Sequence, residues 1–267
     1  MKDSFKLRLK VTNPNNLTAF FKKLKTIEKS VLIEVTSEKI YCKVHTPDKS
    51  VIKYVEIPFS DVFEGDFNIK VKEGKSSSEL KLLKIGILDI GKAMDMYKHF
   101  RPEEEIFWGI DFVKSSDDFI ASEILIGSTN LAIKLRCADL ILLSYVEDEI
   151  IKMIHSTQGS SAAFPLYKSD MGTIESLCNF EYVANELITF VASPEKVEVK
   201  GNSFNYRMNI TEDEIKFKAE DSIEFSFYKK QFGYIDEENS TLYIQDNRVI
   251  IRSRESTSNI AISLIEN

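Results

Sequence analysis

The residues best suited to a chemical role in this chain are lysines that recur near its start. Apolar residues in the same stretch return at helical spacing, which predicts an amphipathic helix over Asn16–Lys29 with Asn15 or Asn16 as its N-cap. A row of ammonium groups can contact phosphates, although a lysine face can equally do no more than face water. The face opposite the apolar residues carries Lys22, Lys25 and Lys29, with Lys23 at its edge.

No arrangement typical of an enzyme active site accompanies these lysines. The histidines, His45, His99 and His155, lie in unrelated contexts without a second metal ligand at helical or hairpin spacing. Acidic pairs at 117–118 and 237–238 fall in turn-like segments, where a solvated turn explains them better than a catalytic pocket. A glycine-rich phosphate loop and a Gly-x-Ser-x-Gly elbow are both absent from the sequence. The sequence therefore predicts a binding protein and not an enzyme, and we expect no metal and no cofactor.

Length and charge limit what the chain can bind. Its 267 residues, 43% of them hydrophobic, suffice for one large or two medium cores. The 35 basic and 42 acidic residues give a formal net charge of −7. Such a chain is poorly suited to wrapping DNA over its whole surface, so any contact with nucleic acid has to be a local basic patch.

The cysteines and the apolar runs indicate the compartment. Cys42, Cys137 and Cys178 are odd in number and widely spaced, which is typical of reduced, intracellular thiols. The N-terminus lacks an apolar signal core, and the longest apolar run, Leu140–Val146, is too short to span a membrane. We expect a soluble protein of the cytoplasm, or of the host cell cytoplasm if the protein is viral.

Short strands dominate the first half of the chain. The alternation of apolar and basic residues over Ser4–Val11 predicts a half-buried strand before the lysine-rich helix. A second helix is predicted over Asp89–Arg101, with Asp89 as its cap and Pro102 as its stop. The other predicted strands of this half are Val31–Thr36, Ile40–His45, Val51–Ile57, Phe67–Lys72, Leu80–Leu88, Ile106–Val113, Phe119–Ile126 and Asn130–Leu135.

The second half repeats this order. Helices are predicted over Asp170–Phe180 and Tyr228–Ile235. The predicted strands are Phe164–Tyr167, Leu187–Ala192, Val197–Lys200, Phe204–Ile210, Ile215–Lys218, Ile223–Phe227, Thr241–Ile244, Arg248–Arg252 and Asn259–Leu264.

Two local matches support an internal repeat. Val35–Lys43 resembles Val191–Lys200 with one insertion, and Ser128–Leu135 resembles Thr257–Leu264 with none. Because both matches occur in the same order and at the same place in the series of elements, chance similarity is a poor explanation. The sequence therefore predicts a domain over 1–137, a connector over 138–161 that crosses the surface, and a second domain over 162–267.

Two β-rich domains with basic helices at matching places resemble the DNA polymerase sliding clamps, in the two-domain form of proliferating cell nuclear antigen and the T4-like phage clamps. The resemblance covers nearly the whole chain in element order, although clamps have no catalytic signature to match. It implies an α+β fold of two similar domains, each with two short helices, assembling as a ring of three copies. The sequences of the connector and of the C-terminal ISLIEN differ from those of the eukaryotic and archaeal clamps. This difference favours a viral protein.

The resemblance also implies what the protein does. Such a ring is a processivity factor that encircles double-stranded DNA without sequence specificity, is placed there by a clamp loader, and tethers DNA polymerase. The basic residues of the helices are then expected to line the hole: Lys22, Lys23, Lys25, Lys29, Lys92, Lys98, Arg101, Lys168, Lys229 and Lys230.

Two further sites follow from the resemblance. Clamps receive partner peptides in an apolar groove beneath the connector, here expected at Val44, His45, Leu140, Leu142, Leu143, Ile262, Leu264 and Ile265. The alternative interpretation is that the apolar run only pins the connector to the sheet. Rings close between an edge strand of each domain, so Thr129–Arg136 is expected to pair with Phe204–Ile210 of the next copy. The apolar residues of these two edges are Leu131, Ile133, Leu135, Phe204, Tyr206 and Met208.

Two other classes of protein remain open at this point. A β-rich structural protein of a virion or tail could use the repeat as a scaffold, although that role gives no reason for lysines to share a side. An enzyme with an unrecognised carboxylate site is the third class. A solution mass separates the first two, since a stable trimer favours the clamp, and turnover of a substrate favours the enzyme.

Overall fold

The computed structural model describes residues 4–67, 69–73, 76–115, 118–180, 187–236, 238–254 and 257–265. The chain forms two compact units. Unit 1 comprises Met1–Val44 and Tyr54–Val146, and unit 2 comprises His45–Lys53 and Glu147–Asn267. No helix within the described ranges is long and apolar enough to cross a membrane.

Unit 1 is built from strands with two helices between them. The helices are α1 (Pro14–Lys25) and α2 (Ile90–Tyr97). The strands are β1 (Ser4–Val11), β2 (Val31–Val35), β3 (Lys39–His45), β4 (Val51–Pro58), β5 (Phe63–Glu64), β6 (Lys70–Glu73), β7 (Ser76–Glu79), β8 (Leu83–Ile87), β9 (Ile106–Ser115), β10 (Asp118–Gly127) and β11 (Ala132–Arg136).

The strands of unit 1 pair in the order β4-β3-β2-β8-β10-β9-β1-β5, and β11 pairs with β10. Alternation decides which face is buried. In β9, Trp108, Ile110 and Phe112 are buried, whereas the residues between them are half-buried. The long β1–β9 ladder runs antiparallel from Ser4↔Val113 to Val11↔Ile106, which fixes the register of this part of the sheet.

Unit 2 contains three helices: α3 (Asp148–His155), α4 (Lys168–Phe180) and α5 (Lys229–Phe232). Its strands pair in the orders β16-β12-β18-β19-β20 and β15-β14-β13-β17. They are β12 (Ala162–Leu166), β13 (Leu187–Ala192), β14 (Val197–Lys200), β15 (Asn205–Arg207), β16 (Lys216–Phe217), β17 (Ile223–Tyr228), β18 (Ser240–Gln245), β19 (Arg248–Ser253) and β20 (Thr257–Ser263). Stacked Phe190, Phe225 and Phe227 lie in its core.

The two halves of the chain repeat one order of elements, as the sequence predicts. Without the β6–β7 hairpin, the series from β1 to β11 has the same strands and helices, in the same order, as the series from β12 to β20. The mixed α+β class with mostly strands is therefore confirmed. The better of the two local matches falls on the last strand of each half, β11 and β20.

Helix α1 begins and ends at residues other than those predicted. Helix α1 begins at Pro14 and not at Asn16, and its N-cap is Asn13, whose side chain accepts the N–H of Asn16 at 3.1 Å. Neither Asn15 nor Asn16 is the cap, because proline at the first helical position favours the earlier start. The helix ends at Lys25 instead of Lys29.

Helix α2 and the short strands also differ from the prediction. The predicted N-cap of α2 is confirmed, since the side chain of Asp89 accepts the N–H of Lys92 at 3.1 Å. The helix nevertheless ends at Tyr97, before Arg101. The predicted strand Phe204–Ile210 is reduced to Asn205–Arg207.

Helix α3 lies in the segment that was predicted to be a connector. It buries Ile151 and Ile154, and it carries Asp148 and Glu149 in its first turn, where negative charge is favoured. The apolar run Leu140–Val146 before it contains a short 3-10 turn at Leu140–Leu142. The connector is thus partly helical, which the sequence argument missed.

Candidate nucleic-acid interface and partner surfaces

The lysine face of α1 is exposed. The apolar side of the helix buries Leu17, Phe20, Phe21 and Leu24. On the other side Lys22, Lys25 and Lys29 are exposed, and Lys23 is half-buried. Among the described residues, Lys22 and Lys29 form neither an ion pair nor a side-chain hydrogen bond, so their charges are available to a ligand.

The start of α2 is held against the end of α1. The backbone N–H of Ile90 donates to the carbonyl of Lys29 at 3.0 Å, and the hydroxyl of Ser30 donates to the carbonyl of Leu88 at 2.8 Å. A Cβ added to Gly91 would lie 3.3 Å from Nζ of Lys25. The two helices therefore bring their basic residues onto one surface of unit 1.

The basic residues of α2 and its C-terminal turn are exposed as well. Lys92, Lys98 and Arg101 all face solvent. Lys98 is paired with Asp95 at 2.6 Å, and the hydrogen bond from Lys98 lowers the pKa of that carboxyl. Because an exposed pair of this kind is weak, a phosphate can compete with Asp95 for the lysine.

The predicted basic residues of unit 2 differ in how available they are to a ligand. Lys168 is exposed, but Lys229 is half-buried and donates to the backbone carbonyl of Cys178. Lys230 lies 3.5 Å from Asp48. Hydrogen bonds from Thr46 and Ser50 hold the pKa of Asp48 well below its usual range, so Asp48 remains a carboxylate beside Lys230.

Helix α4 adds little positive charge. Besides Lys168 it carries Glu175, which is exposed, and Asp170, which is fully buried. The side chains best placed to meet phosphates are therefore those of α1 and α2 in unit 1. Sequence reasoning weighted all four helices equally, because it could not see the partners of Lys229 and Lys230.

The predicted peptide-groove residues of unit 1 differ in their exposure to solvent. Leu142 is 68% exposed, Leu140 and Leu143 are half-buried, and Val44 is buried. Ile141, which lies between the predicted groove residues Leu140 and Leu142, is 89% exposed. The turn at Leu140–Leu142 thus presents adjacent apolar side chains to solvent.

The connector is anchored to unit 1 at both ends of this turn. The N–H of Ala138 donates to the carbonyl of Gly86 at 2.9 Å, and a Cβ on Gly86 would lie 2.6 Å from the carbonyl of Ala138. Further along, the ring of Tyr145 lies 5.6 Å from the ammonium of Lys43, which is paired with Glu34 at 2.9 Å. Glycine is required at 86, since any side chain there would displace the connector.

The predicted groove residues of unit 2 are mostly covered. Ile262 is fully buried, and His45, Leu264 and Ile265 are half-buried. The N–H of Ile265 donates to the carbonyl of Ser226 at 3.1 Å, which fixes the end of the described chain.

The two predicted interface strands are edge strands within their units. Strand β15 pairs only with β14, and β11 pairs only with β10, among the described residues. Leu131, Ile133, Leu135, Phe204 and Tyr206 are half-buried, whereas Met208 is buried. Each of these two strands thus has an edge without a strand partner among the described residues, which is the feature that ring closure through strand pairing requires.

A buried carboxylate holds the β15 edge in place. Oδ1 of Asp170 accepts hydrogen bonds from the hydroxyl of Tyr206 at 2.6 Å and from the backbone N–H of Asn209 at 3.2 Å. Burial, together with the bond to Asp170, raises the pKa of Tyr206 to about 12, so its hydroxyl stays protonated and donates. Helix α4 therefore positions the predicted interface strand, a contact that sequence spacing could not reveal.

No group of three or more potential metal ligands occurs among the described residues. Asp117 and Glu237, members of the two acidic pairs named above, lie outside them.

Comparison with solved structures identifies the fold. The chain is similar to proliferating cell nuclear antigen (PCNA) from Entamoeba histolytica, with a TM-score of 0.66, 15% identity and complete coverage of both chains. It is also similar to PCNA from Thermococcus kodakaraensis, with a TM-score of 0.63, 11% identity and coverage of 98% of this chain and 100% of the other. No protein-family model and no curated protein sequence matches the chain.

A third similar structure is that of A. fulgidus PCNA with the C-terminal region of FEN-1 bound. Its TM-score is 0.62 at 11% identity, with coverage of 98% of this chain and 99% of the other. The chain therefore has the fold of a sliding clamp. More particularly, it has the two-domain PCNA form of that fold, which confirms the resemblance drawn from the order of the elements.

Proposed function

We propose that this chain is a DNA polymerase processivity factor, a trimeric ring that encircles duplex DNA and tethers the polymerase and other partners. The observation that carries the proposal is the PCNA fold over the whole chain, combined with an exposed lysine face on its paired helices α1 and α2. Contacts from lysines to phosphates position a protein on DNA without reading its sequence. The role is one of binding and not of catalysis.

The ring is the first part of this proposal to test. Three copies of two repeats give six similar domains, and the free edges of β11 and β15 offer the head-to-tail contact that closes such a ring. A solution mass of three chains is expected. Retention on circular DNA that is lost when the DNA is linearised would show that the ring holds the duplex by encircling it, whereas a monomer at all concentrations would contradict the proposal.

Removing Lys22 and Lys25 of α1 together with Lys29, which follows the helix, is expected to weaken DNA retention while leaving the fold intact. In Lys22→Ala/Lys25→Ala/Lys29→Ala the apolar face of α1 is unchanged, because all three side chains are exposed. The salt dependence of DNA binding should flatten by about 0.9 in log–log slope for each phosphate contact that is lost. Titration of binding against salt concentration measures this slope.

A matched control removes three exposed lysines that lie off the helices, Lys81, Lys216 and Lys218. That variant has the same net charge as the α1 variant, and its salt slope should equal that of the unaltered protein. An equal change of slope in both variants would mean that α1 has no special role. The same measurement on Lys168→Ala/Lys229→Ala/Lys230→Ala should give a smaller change, because the half-buried Lys229 already donates to the carbonyl of Cys178.

The connector turn is proposed to receive partner peptides. The support is the exposure of Ile141 and Leu142, together with the C-terminal region of FEN-1 that is bound to the similar A. fulgidus clamp. Exposed adjacent apolar side chains are typical of interaction sites. A peptide from the C-terminus of the cognate polymerase is the expected ligand.

A Leu142→Asp variant is expected to bind such a peptide about tenfold more weakly or worse, because a carboxylate would have to be buried in an apolar contact. Leu142 is exposed, so the fold should tolerate the change. The matched control is Leu88→Asp, which alters another exposed leucine of unit 1 outside the turn. Calorimetry of peptide binding compares the two; full-strength binding by a folded Leu142→Asp variant would place the groove elsewhere.

A further inference from the structure

The strands β1, β9, β10 and β11 of unit 1 share a solvent-facing surface beside the edge of β11. Cross-strand pairing places Arg8 opposite Gly109, Gly109 opposite Leu125, and Leu125 opposite Lys134. The neighbouring row places Phe107 opposite Gly127. We name this surface, with Arg8, Phe107, Gly109, Leu125, Gly127 and Lys134, the Arg8 groove.

The glycines make the groove deep. A Cβ built on Gly109 would meet only atoms of Leu125, at 3.7 and 3.9 Å, so the space above Gly109 is open. A Cβ built on Gly127 would be in ordinary van der Waals contact with Leu131 and Ala132, at 3.5 to 3.9 Å. The resulting cavity has a volume of about 600 Å³, which falls within the range of natural ligand sites. Its floor is apolar, since Phe107 and Leu125 flank the two glycines.

The rim of the groove carries more positive than negative charge. Lys6 is paired with Asp111 at 3.6 Å, and Lys134 is paired with Glu123 at 3.0 Å. Arg8 differs from both lysines. Its guanidinium lies 4.4 Å from the centre of the Phe107 ring, and it has no carboxylate partner among the described residues. The ring orients the guanidinium while leaving its N–H donors available to a ligand.

We propose that the Arg8 groove binds an extended acidic segment of a partner protein. A carboxylate of that segment takes the guanidinium of Arg8 in a bidentate contact, which is the geometry that arginine favours. An apolar side chain next to that carboxylate lies over Gly109, between Phe107 and Leu125. Every residue of the groove belongs to unit 1, and Lys134 also lies on β11, the edge strand that is proposed to close the ring.

The charges of the rim favour a peptide over a nucleic acid. Asp111 and Glu123 both line the groove and are paired with Lys6 and Lys134, so Arg8 is the cation of the groove that is left to take an anion. A single carboxylate can bind there, whereas the closely spaced phosphates of a DNA strand would need several free cations. Asp111 and Glu123 can also accept N–H groups of a peptide backbone. A net charge of −7 for the whole chain repels an acidic segment from much of the surface, apart from the groove and the basic surface of α1 and α2.

Fluorescence anisotropy with a labelled acidic peptide, Glu-Leu-Glu-Phe-Glu, tests the proposal on the full chain at low ionic strength. Saturable binding is expected. Arg8→Gln, which keeps a similar length without the charge, should weaken binding about tenfold or more, since hydrogen bonds between charged groups are strong. Gly109→Val should also weaken peptide binding, because the valine side chain would fill the floor of the groove. The fold should accept this change, since valine is well tolerated in strands.

The controls separate the groove from charge alone. Lys216→Gln removes one exposed positive charge from unit 2 and should leave binding unchanged. The fluorescence of Trp108, which lies on β9 beside the groove, verifies that each variant is folded. The proposal is overturned if the unaltered protein shows no saturable binding, if Arg8→Gln binds equally well, or if duplex DNA displaces the peptide by occupying the same groove.

Discussion

Replacing Arg207 by proline is expected to turn the proposed ring into folded monomers. The reason is the direction of the backbone groups of β15. Met208 donates its N–H to the carbonyl of Val197 at 3.0 Å, so that pair is hydrogen-bonded. Because bonded pairs alternate along an antiparallel ladder, Tyr206 also bonds toward β14, whereas Arg207 directs its N–H away from β14.

The edge of β11 has the same arrangement. The N–H of Ser128 donates to the carbonyl of Leu131 at 2.7 Å, which makes Ile133 the next residue that bonds toward β10. Lys134 therefore directs its N–H outward. Each edge strand offers outward donors to a neighbouring copy, and Lys134→Pro should have the same effect on the ring as Arg207→Pro.

Proline at either outward position removes a donor without breaking the ladder inside the unit. The measurement is the solution mass by light scattering, with circular dichroism to verify the fold. Arg207→Thr is the matched control, because it removes the charge and keeps the N–H, and it should remain trimeric. We expect Arg207→Pro to lose retention on circular DNA almost completely, since an open chain cannot encircle the duplex.

Proline at Tyr206 is a different experiment, because the N–H of Tyr206 serves the chain's own sheet. That variant should lose stability in unit 2 as well as the trimer. A trimer that survives both Arg207→Pro and Lys134→Pro would place ring closure on other strands.

The sequence was most informative where local pattern decides structure. Leu187–Ala192 and Val197–Lys200 are strands with the predicted ends, because their alternation and the polar turn between them are local signals. Helix α1 began earlier than predicted because Asn13 and Pro14 form a cap and first turn that the apolar spacing does not show. Helix α3 was missed because an eight-residue helix after an acidic run resembles a polar linker.

The functional sites depend on contacts between residues that are far apart in the sequence, and a local sequence pattern does not reveal such contacts. The sequence pattern predicted that Lys229 and Lys230 are basic residues of a helix. It could not show that Lys229 donates to the carbonyl of Cys178 or that Lys230 lies beside Asp48. The Arg8 groove exists only because the register sets Gly109 against Leu125. In these cases tertiary pairing decides which charges are available to a ligand.

Lys53 illustrates the same limit and leads to the largest expected effect on stability. It is a charged residue inside an apolar strand pattern, and its side chain is 0% exposed. Its ammonium is 2.6 Å from Oδ1 of Asp236, and Oδ2 of that carboxylate accepts the hydroxyl of Ser258 at 2.8 Å. All three residues belong to unit 2, and Lys53 and Asp236 are 183 positions apart in the chain.

Asp236→Asn is expected to lower the free energy of unfolding of unit 2 by about 3–5 kcal/mol, because it leaves a buried cation without its counter-charge. Asp95→Asn is the matched control, since it makes the same change beside a lysine, Lys98, at the same 2.6 Å, but in an exposed pair. That control should change stability little, because solvent screens the exposed pair.

Urea unfolding distinguishes the two units, because the single tryptophan, Trp108, lies in unit 1 while circular dichroism follows both units. Asp236→Asn should shift the circular dichroism transition more than the fluorescence transition. Lys53→Met/Asp236→Asn should recover most of the loss, since an apolar side chain then replaces the unpaired cation. If the double variant is as unstable as Asp236→Asn, the loss comes from the packing around Asp236 and not from a buried charge. The loss of unfolding free energy in Asp236→Asn would then not measure the effect of leaving the charge of Lys53 unpaired.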